Sequence, residues 1–242
     1  LLMGNISKIK NTNFALIIRI LKKLRIRFGS TYFGGLMKEL DKDIINKSKF
    51  GINLNGYYQH PTFYEDVKIE ILEMIGKNMF GEKYINAKFQ DRTLIQLRRG
   101  DYLHHPGWAL NKNYYLNALQ KYDPQRIDPV CIVSNENLAV DAFENFCANL
   151  GYKIEKLPEI EDNKFIQSKN ISGNFITNAT RDFLAISQSK RIIMSNCTFA
   201  WWGVSLGDHI FGKDKKETIY PKGWIPGMPD TLKQVHWLSE TP

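Results

Sequence analysis

The sequence predicts an α/β fold: a parallel sheet with helices on both faces, preceded by a mostly helical and irregular N-terminal part. Two observations carry this. From Thr93 onward, short apolar runs alternate with amphipathic segments of helical period, the pattern of βαβ units. Before that point no strand alternation stands out, and the change falls at Gly81–Asp91, a natural boundary between residues 1–90 and 91–242. The bulk numbers agree: 242 residues at 43% hydrophobic and 24% charged suffice for one large domain or two small ones with a real core.

In the N-terminal part, Leu36–Ile45 reads as a helix and Asn53–His60 as a turn-rich aromatic stretch. Thr62–Gly76 reads as a helix, with Thr62 as cap, Glu65 and Asp66 in the first turn, and an apolar stripe of Val67, Ile71, Leu72 and Ile75. In the C-terminal part the expected strands are Thr93–Leu97, Val130–Val133, Tyr152–Leu157, Arg191–Met194 and Thr218–Tyr220. The expected helices are Lys112–Lys121, Leu138–Leu150, Thr180–Ser187 and Thr198–Leu206.

A net charge of +8 admits three kinds of partner: nucleic acid, an anionic membrane surface or a polyanionic small molecule. Nucleic acid gains no support, since the chain has no RNP-like aromatic strand, KH loop or zinc-finger spacing. Arg19, Lys22, Lys23, Arg25 and Arg27 alternate with Leu16, Ile17, Ile20, Leu21, Leu24 and Phe28. On a helix this is either a core-packed face with solvated charges or a segment lying against lipid headgroups at the inner membrane surface. Cys131, Cys147 and Cys197 are widely spaced, which argues against disulfides or zinc and fits the cytoplasm. No apolar run approaches the roughly 18 residues that cross a bilayer.

The chemistry concentrates in two stretches. In Leu94-Ile95-Gln96-Leu97-Arg98-Arg99-Gly100-Asp101-Tyr102 an apolar strand stops at two arginines. Ligands of open α/β sheets bind just beyond the carboxyl ends of strands, and paired guanidiniums there would make a fork for phosphate oxygens. Gly100 permits a sharp turn, and Asp101 can hold one arginine in place. In the second stretch a helix containing Asp182 feeds the strand Arg191–Met194. The turn Ser195-Asn196-Cys197-Thr198 then opens a helix bearing Phe199, Trp201 and Trp202. A helix N-terminus rich in hydroxyls and free N–H groups is an anion site. One of the two tryptophans could stack on a base or sugar; core packing is the other reading.

These stretches resemble the glycosyltransferase family 11 α-1,2-fucosyltransferases. The family's His-x-Arg-Arg-Gly-Asp motif is matched by Gln96 through Asp101, and its Asn-Ser-Thr-Phe-Ser-Trp-Trp-Gly block by Asn196 through Gly203. Its Pro-Lys-x-Trp is matched by Pro221 through Trp224, and its Gly-Tyr-x-Gln by Gly56 through Gln59. The resemblance implies a GT-B fold with a Rossmann-like donor domain at residues 91–242 and an acceptor-side domain, here partial, at 1–90. It implies transfer of L-fucose from GDP-β-L-fucose to a galactoside of a surface glycan, inverting and without metal or other cofactor. By this resemblance Arg98 clamps the diphosphate, with Arg99 assisting or held by Asp101. Gln96, Ser195, Asn196, Thr198, Phe199, Trp201 and Trp202 would line the donor site, and Asp182 would cap its helix or fix the nucleotide. His104 and His105 are the candidate bases.

Three departures from the family's pattern stand out. Gln96 replaces the motif histidine, and Ser134-Asn135-Glu136 replaces a Ser-Asp-Asp. The Gly-rich N-terminal segment is absent, which suggests a missing first strand–helix unit. These favour the rival expectation, a degenerate binder of GDP-sugar without turnover.

Overall fold

The computed structural model describes residues 30–34, 52–56, 59–79, 92–157, 174–225, 230, 232–234 and 236–241. The expected helix Leu36–Ile45, the basic segment at 16–28 and the break at 81–91 lie outside them. By its own contacts the chain divides into Leu1–Phe63 and Tyr64–Pro242.

In the first unit, β1 (Ser30–Gly34) and β2 (Ile52–Gly56) pair in parallel, Ser30 level with Ile52 and Gly34 with Gly56. Both are strands where helix or turn was expected. The two asparagines and the glycine of β2 are poor strand formers and conceal it, whereas β1 carries Thr31, Tyr32 and Phe33, good strand formers in a run too short to stand out. A 3₁₀ turn, Pro61–Phe63, follows.

The second unit is built on a five-stranded, all-parallel sheet. After a 3₁₀ turn at Glu65–Val67 comes α1 (Lys68–Met79), so the helix expected from Thr62 starts later. The order is then β3 (Thr93–Leu97), α2 (Lys112–Tyr122), β4 (Val130–Ser134), α3 (Asn137–Asn149), α4 (Asn174–Gln188), β5 (Arg191–Ile193), α5 (Thr198–Phe211), β6 (Glu217–Pro221) and β7 (Leu238–Glu240). Across the sheet the strands run β4-β3-β5-β6-β7. The expected strand Tyr152–Leu157 makes only one bridge, Ile154 to Val130. β7, a three-residue strand whose leucine is exposed, was not expected. The expected Rossmann-like α/β architecture of GT-B type stands on this sheet.

Strands of a parallel sheet are buried on both faces and read as continuous apolar runs; β3 is buried at all five positions. Side chains alternate. Ile95, Leu97, Ile132, Ile193 and Ile219 turn to one face and pack with Tyr114, Leu119 and Cys147 of α2 and α3. Asn111 caps α2 by accepting from Tyr114 N at 3.0 Å. On the other face lie α4 and α5, where Phe183, Leu184 and Leu206 meet Leu72 of α1. α4 and α5 approach closely because Gly203 and Gly207 face α4. A Cβ on Gly207 would stand 2.1 Å from the Ser187 carbonyl, and one on Gly203 2.5 Å from Ile186 Cγ2.

The strand order places the site. From β3 the chain adds β4 on one side, then crosses over to add β5 on the other. Between β3 and β5 the direction of winding reverses, and there open α/β sheets form a ligand crevice.

Candidate functional site at the sheet switch point

Register sets the geometry of this edge. Leu97 is level with Ser134 and Ile95 with Ile193, so residues 98, 135 and 194–197 all leave the sheet at its carboxyl edge. A cavity of about 500 Å³ opens there on the α4–α5 face, lined by Gln96, Arg98, Asn135, Asp182, Cys197 and Phe199 among others.

Two cations line this cavity, Arg98 and Arg181, and Arg98 is the one at the sheet edge. Its Nη2 donates to Asp101 Oδ1 at 2.8 Å and its guanidinium lies 5.1 Å from the centre of the Tyr102 ring. Its Nε is buried without a hydrogen-bond partner among the described residues. A guanidinium held by one edge, with a dry donor left over, is arranged for an incoming acceptor.

The expected arginine fork does not form. Arg99 continues the alternation of the strand and enters a different cavity, lined with Leu97 and Tyr115 on the α2–α3 face. Asp101 holds Arg98, not Arg99. The backbone N–H of Arg99 donates to Asn135 Oδ1 at 3.2 Å, joining the ends of β3 and β4. Gly100 has φ +51°, a conformation that favours glycine, and a Cβ there would stand 2.5 Å from Asn135 Nδ2 and displace that side chain.

Gln96 bridges the switch point. Its Oε1 accepts from Ser195 N at 3.3 Å and from Ser195 Oγ, while its Nε2 donates to Leu97 O at 3.3 Å. The Ser195 hydroxyl is thus committed within the protein. Asn196 is partly so: its Nδ2 donates to Trp108 O at 2.9 Å and its backbone carbonyl accepts from Tyr102 Oη at 3.0 Å, while its side-chain Oδ1 is buried without a hydrogen-bond partner among the described residues. The Ser195 hydroxyl and the Asn196 amide nitrogen are thus struts of this turn. α5 begins at Thr198, its N-cap Cys197 makes no side-chain cap bond, and the first intrahelical bond runs from Trp201 N to Cys197 O. The N–H groups of the opening turn, with those of Phe199 and Ala200 facing the Cys197 sulfur, carry partial positive charge beside Arg98. Burial pushes the Cys197 thiol up, opposed by the Ala200 N–H and the Arg98 guanidinium.

Asp182 lies in the middle of α4 and caps nothing. It lines the cavity with Arg181, which donates to its Oδ1 through Nη2 at 3.1 Å and Nε at 3.3 Å. Burial pushes its carboxyl up, and Arg181 opposes this.

Phe199 is on the cavity wall, 38% exposed and edge-on to Phe183 at 5.2 Å. Trp201 is core: 2% exposed, with Nε1 donating to Leu232 O at 2.7 Å and Lys68 Nζ 4.5 Å from the ring centre. Trp202 packs against the cluster that holds Leu72, Phe183, Leu184 and Leu206, and both indoles meet Tyr64. Neither is among the side chains lining the cavity, nor are Thr198, Ser195 and Asn196. His104 and His105 are exposed on the turn after β3, with the His105 ring 4.5 Å from Trp108, and they too lie off the cavity wall.

Sequence reasoning passed over Asn135, Arg181, Tyr102 and Trp108. Asn135 and Tyr102 carried a signal, the first residue past a strand and the last of a charged turn. The carbonyl of Trp108 carried none.

The sequence model of the family described as Glycosyl transferase family 11 matches residues 37–224, a span that holds every residue of this cavity. The chain is also similar to the O-antigen biosynthesis glycosyltransferase WbnK of Escherichia coli, 23% identical over 240 residues, covering 87% of this chain and 72% of that protein.

Proposed function

The chain belongs to glycosyl transferase family 11, and from that premise we propose that it moves L-fucose from GDP-β-L-fucose to a galactoside hydroxyl of a surface glycan, inverting the anomeric centre without a metal. The observation that carries the reading is Arg98: fixed by Asp101 on one edge, unsatisfied at Nε, and facing a cavity at the sheet's switch point.

In this reading the acceptor oxygen forms a bond to the anomeric carbon as the bond to the GDP oxygen breaks. That bond's electron pair leaves with GDP, and the acceptor's proton passes to a base. The transition state resembles an oxocarbenium ion, with negative charge growing on the diphosphate. Arg98 and the opening N–H groups of α5 meet that charge in a pocket whose donors need not reorganise. Thr198 contributes its backbone N–H. Asp182, held by Arg181, fixes the nucleotide from the α4 side, and Phe199 supplies an apolar wall. The glycan acceptor and the protein meet in the cytoplasm, and the basic segment at 16–28 would hold the chain at the inner membrane surface. Among the described residues no helix is long and apolar enough to cross a membrane.

Gln96 favours a second reading, a GDP-sugar binder without turnover. Its amide is committed to Ser195 and Leu97, and it cannot titrate near neutral pH as a histidine would.

One experiment separates the two: GDP release from GDP-fucose with and without a panel of β-galactosides, for the wild type and Arg98→Ala. The transferase reading expects acceptor-dependent release. It expects GDP affinity to fall about 10- to 150-fold in the variant, the ~1.5–3 kcal/mol of a charge-assisted hydrogen bond. GDP binding without acceptor-dependent release would favour the binder. Equal GDP affinity in both proteins would remove Arg98 from the donor site.

A further inference from the structure

A second cavity, of about 350 Å³, lies at the same sheet edge on the α2–α3 face. Its wall is mostly apolar, with Leu97, Leu110, Phe143 and Phe146, and it carries two cations, Arg99 and Lys112. Lys112 Nζ stands 5.0 Å from the centre of the Phe146 ring. Among the described residues no carboxylate pairs with either cation, and no acidic side chain lines the cavity. Its size lies within the range of small-molecule sites, where an apolar wall and a few convergent polar groups set the ligand's orientation. Arg99 is half-buried and Lys112 exposed at its rim, and cations set beside an apolar wall favour an anion delivered on an apolar body.

We propose that this cavity binds the phosphate end of a lipid-like molecule, its alkyl chain against Phe143 and Phe146 and its phosphate on Arg99 and Lys112. A nucleotide suits the wall less well. A base is read through its hydrogen-bonding edge, and the lining's only uncharged polar side chain is the Tyr115 hydroxyl. The site is separate from the Arg98 cavity and does not depend on the identity of the sugar donor.

The test is calorimetric titration of the full chain with hexyl, octyl and decyl phosphate, each below its micelle concentration. Affinity should rise about fourfold per methylene, the ~0.8 kcal/mol of a buried CH₂, until the cavity is filled. Arg99→Gln should weaken decyl phosphate tenfold or more, as should Ala142→Trp, which fills the cavity from an exposed position of α3. Arg98→Ala and saturating GDP should leave it unchanged. Phenyl phosphate or inorganic phosphate binding as tightly as decyl phosphate would overturn the proposal in favour of a general anion site. So would displacement of decyl phosphate by GDP together with its loss in Arg98→Ala, or absence of binding by all three alkyl phosphates.

Discussion

Replacing Gln96 with leucine keeps the volume of a 5%-exposed side chain and deletes the hydrogen bonds that tie β3 to the turn after β5. Ser195 is fully buried, so its hydroxyl and its N–H lose the acceptor that satisfies them. An orphaned buried group costs about 1–3 kcal/mol. The N–H bond, at 3.3 Å, is long and sits at the low end. The expected loss for Gln96→Leu is therefore about 2–3 kcal/mol, or a fall of roughly 5–10 °C in Tm for a chain of this size. Ser195→Ala removes the hydroxyl and leaves Gln96 with its other two bonds, a loss of about 1 kcal/mol. In the double variant no hydroxyl is stranded, so the two losses should fall short of adding by about 1–2 kcal/mol. Urea unfolding of the four proteins gives these numbers, and GDP affinity measured alongside should weaken in Gln96→Leu as the α5 N-terminus shifts. A Gln96→Leu protein within 0.5 kcal/mol of wild type (about the additivity error), or a coupling near zero, would refute the claim that this amide holds the site together.

Two other expectations follow from the packing behind the site. Gly207→Ala should destabilise by about 3 kcal/mol, because its Cβ would meet a backbone carbonyl at 2.1 Å, whereas Gly203→Ala meets the buried Ile186 side chain at 2.5 Å, side chain rather than backbone, and should lose about 2 kcal/mol; thermal melts showing the reverse order would contradict the contact. Lys216, 7% exposed, donates to Ile186 O at 3.1 Å and Ser187 O at 2.8 Å, and burial pulls its pKa down from 10.5 to about 7, with Asp208 opposing. Between about 7 and 10.5 the unfolded chain carries a proton that the folded one lacks, so the stability conferred by this group rises with pH through that window and is constant below it. Urea midpoints of wild type and Lys216→Met should therefore diverge in favour of wild type on going from about pH 7 to about pH 9.5; parallel midpoints would refute it.

What the sequence revealed about this molecule, and what it hid, divides along physical lines. β3 was legible because a short run rich in Leu and Ile ends abruptly in charge, and α2 because its residues carry a helical period. β2 was hidden by weak strand formers, and β1 and β7 by their brevity. At the site, Arg98 and the opening of α5 could be read from strand ends and helix starts. The parting of Arg98 and Arg99 followed from strand alternation and was readable in principle. The Gln96–Ser195 tie joins residues 99 positions apart, and no local pattern encodes such a pair. The same holds for Trp201, whose burial depends on Tyr64 and Leu232 from distant segments.

The pleat that separates Arg98 from Arg99 makes β3 a selector. Five residues paired on one side and three on the other hold its register, and a slip of one position inverts every side chain of a strand. One residue inserted within β3 would present Arg99 to the α4–α5 side and Arg98 to the phenylalanine-lined recess, whereas two would restore the original assignment. The division of labour between the two arginines is thus written in the parity of the strand.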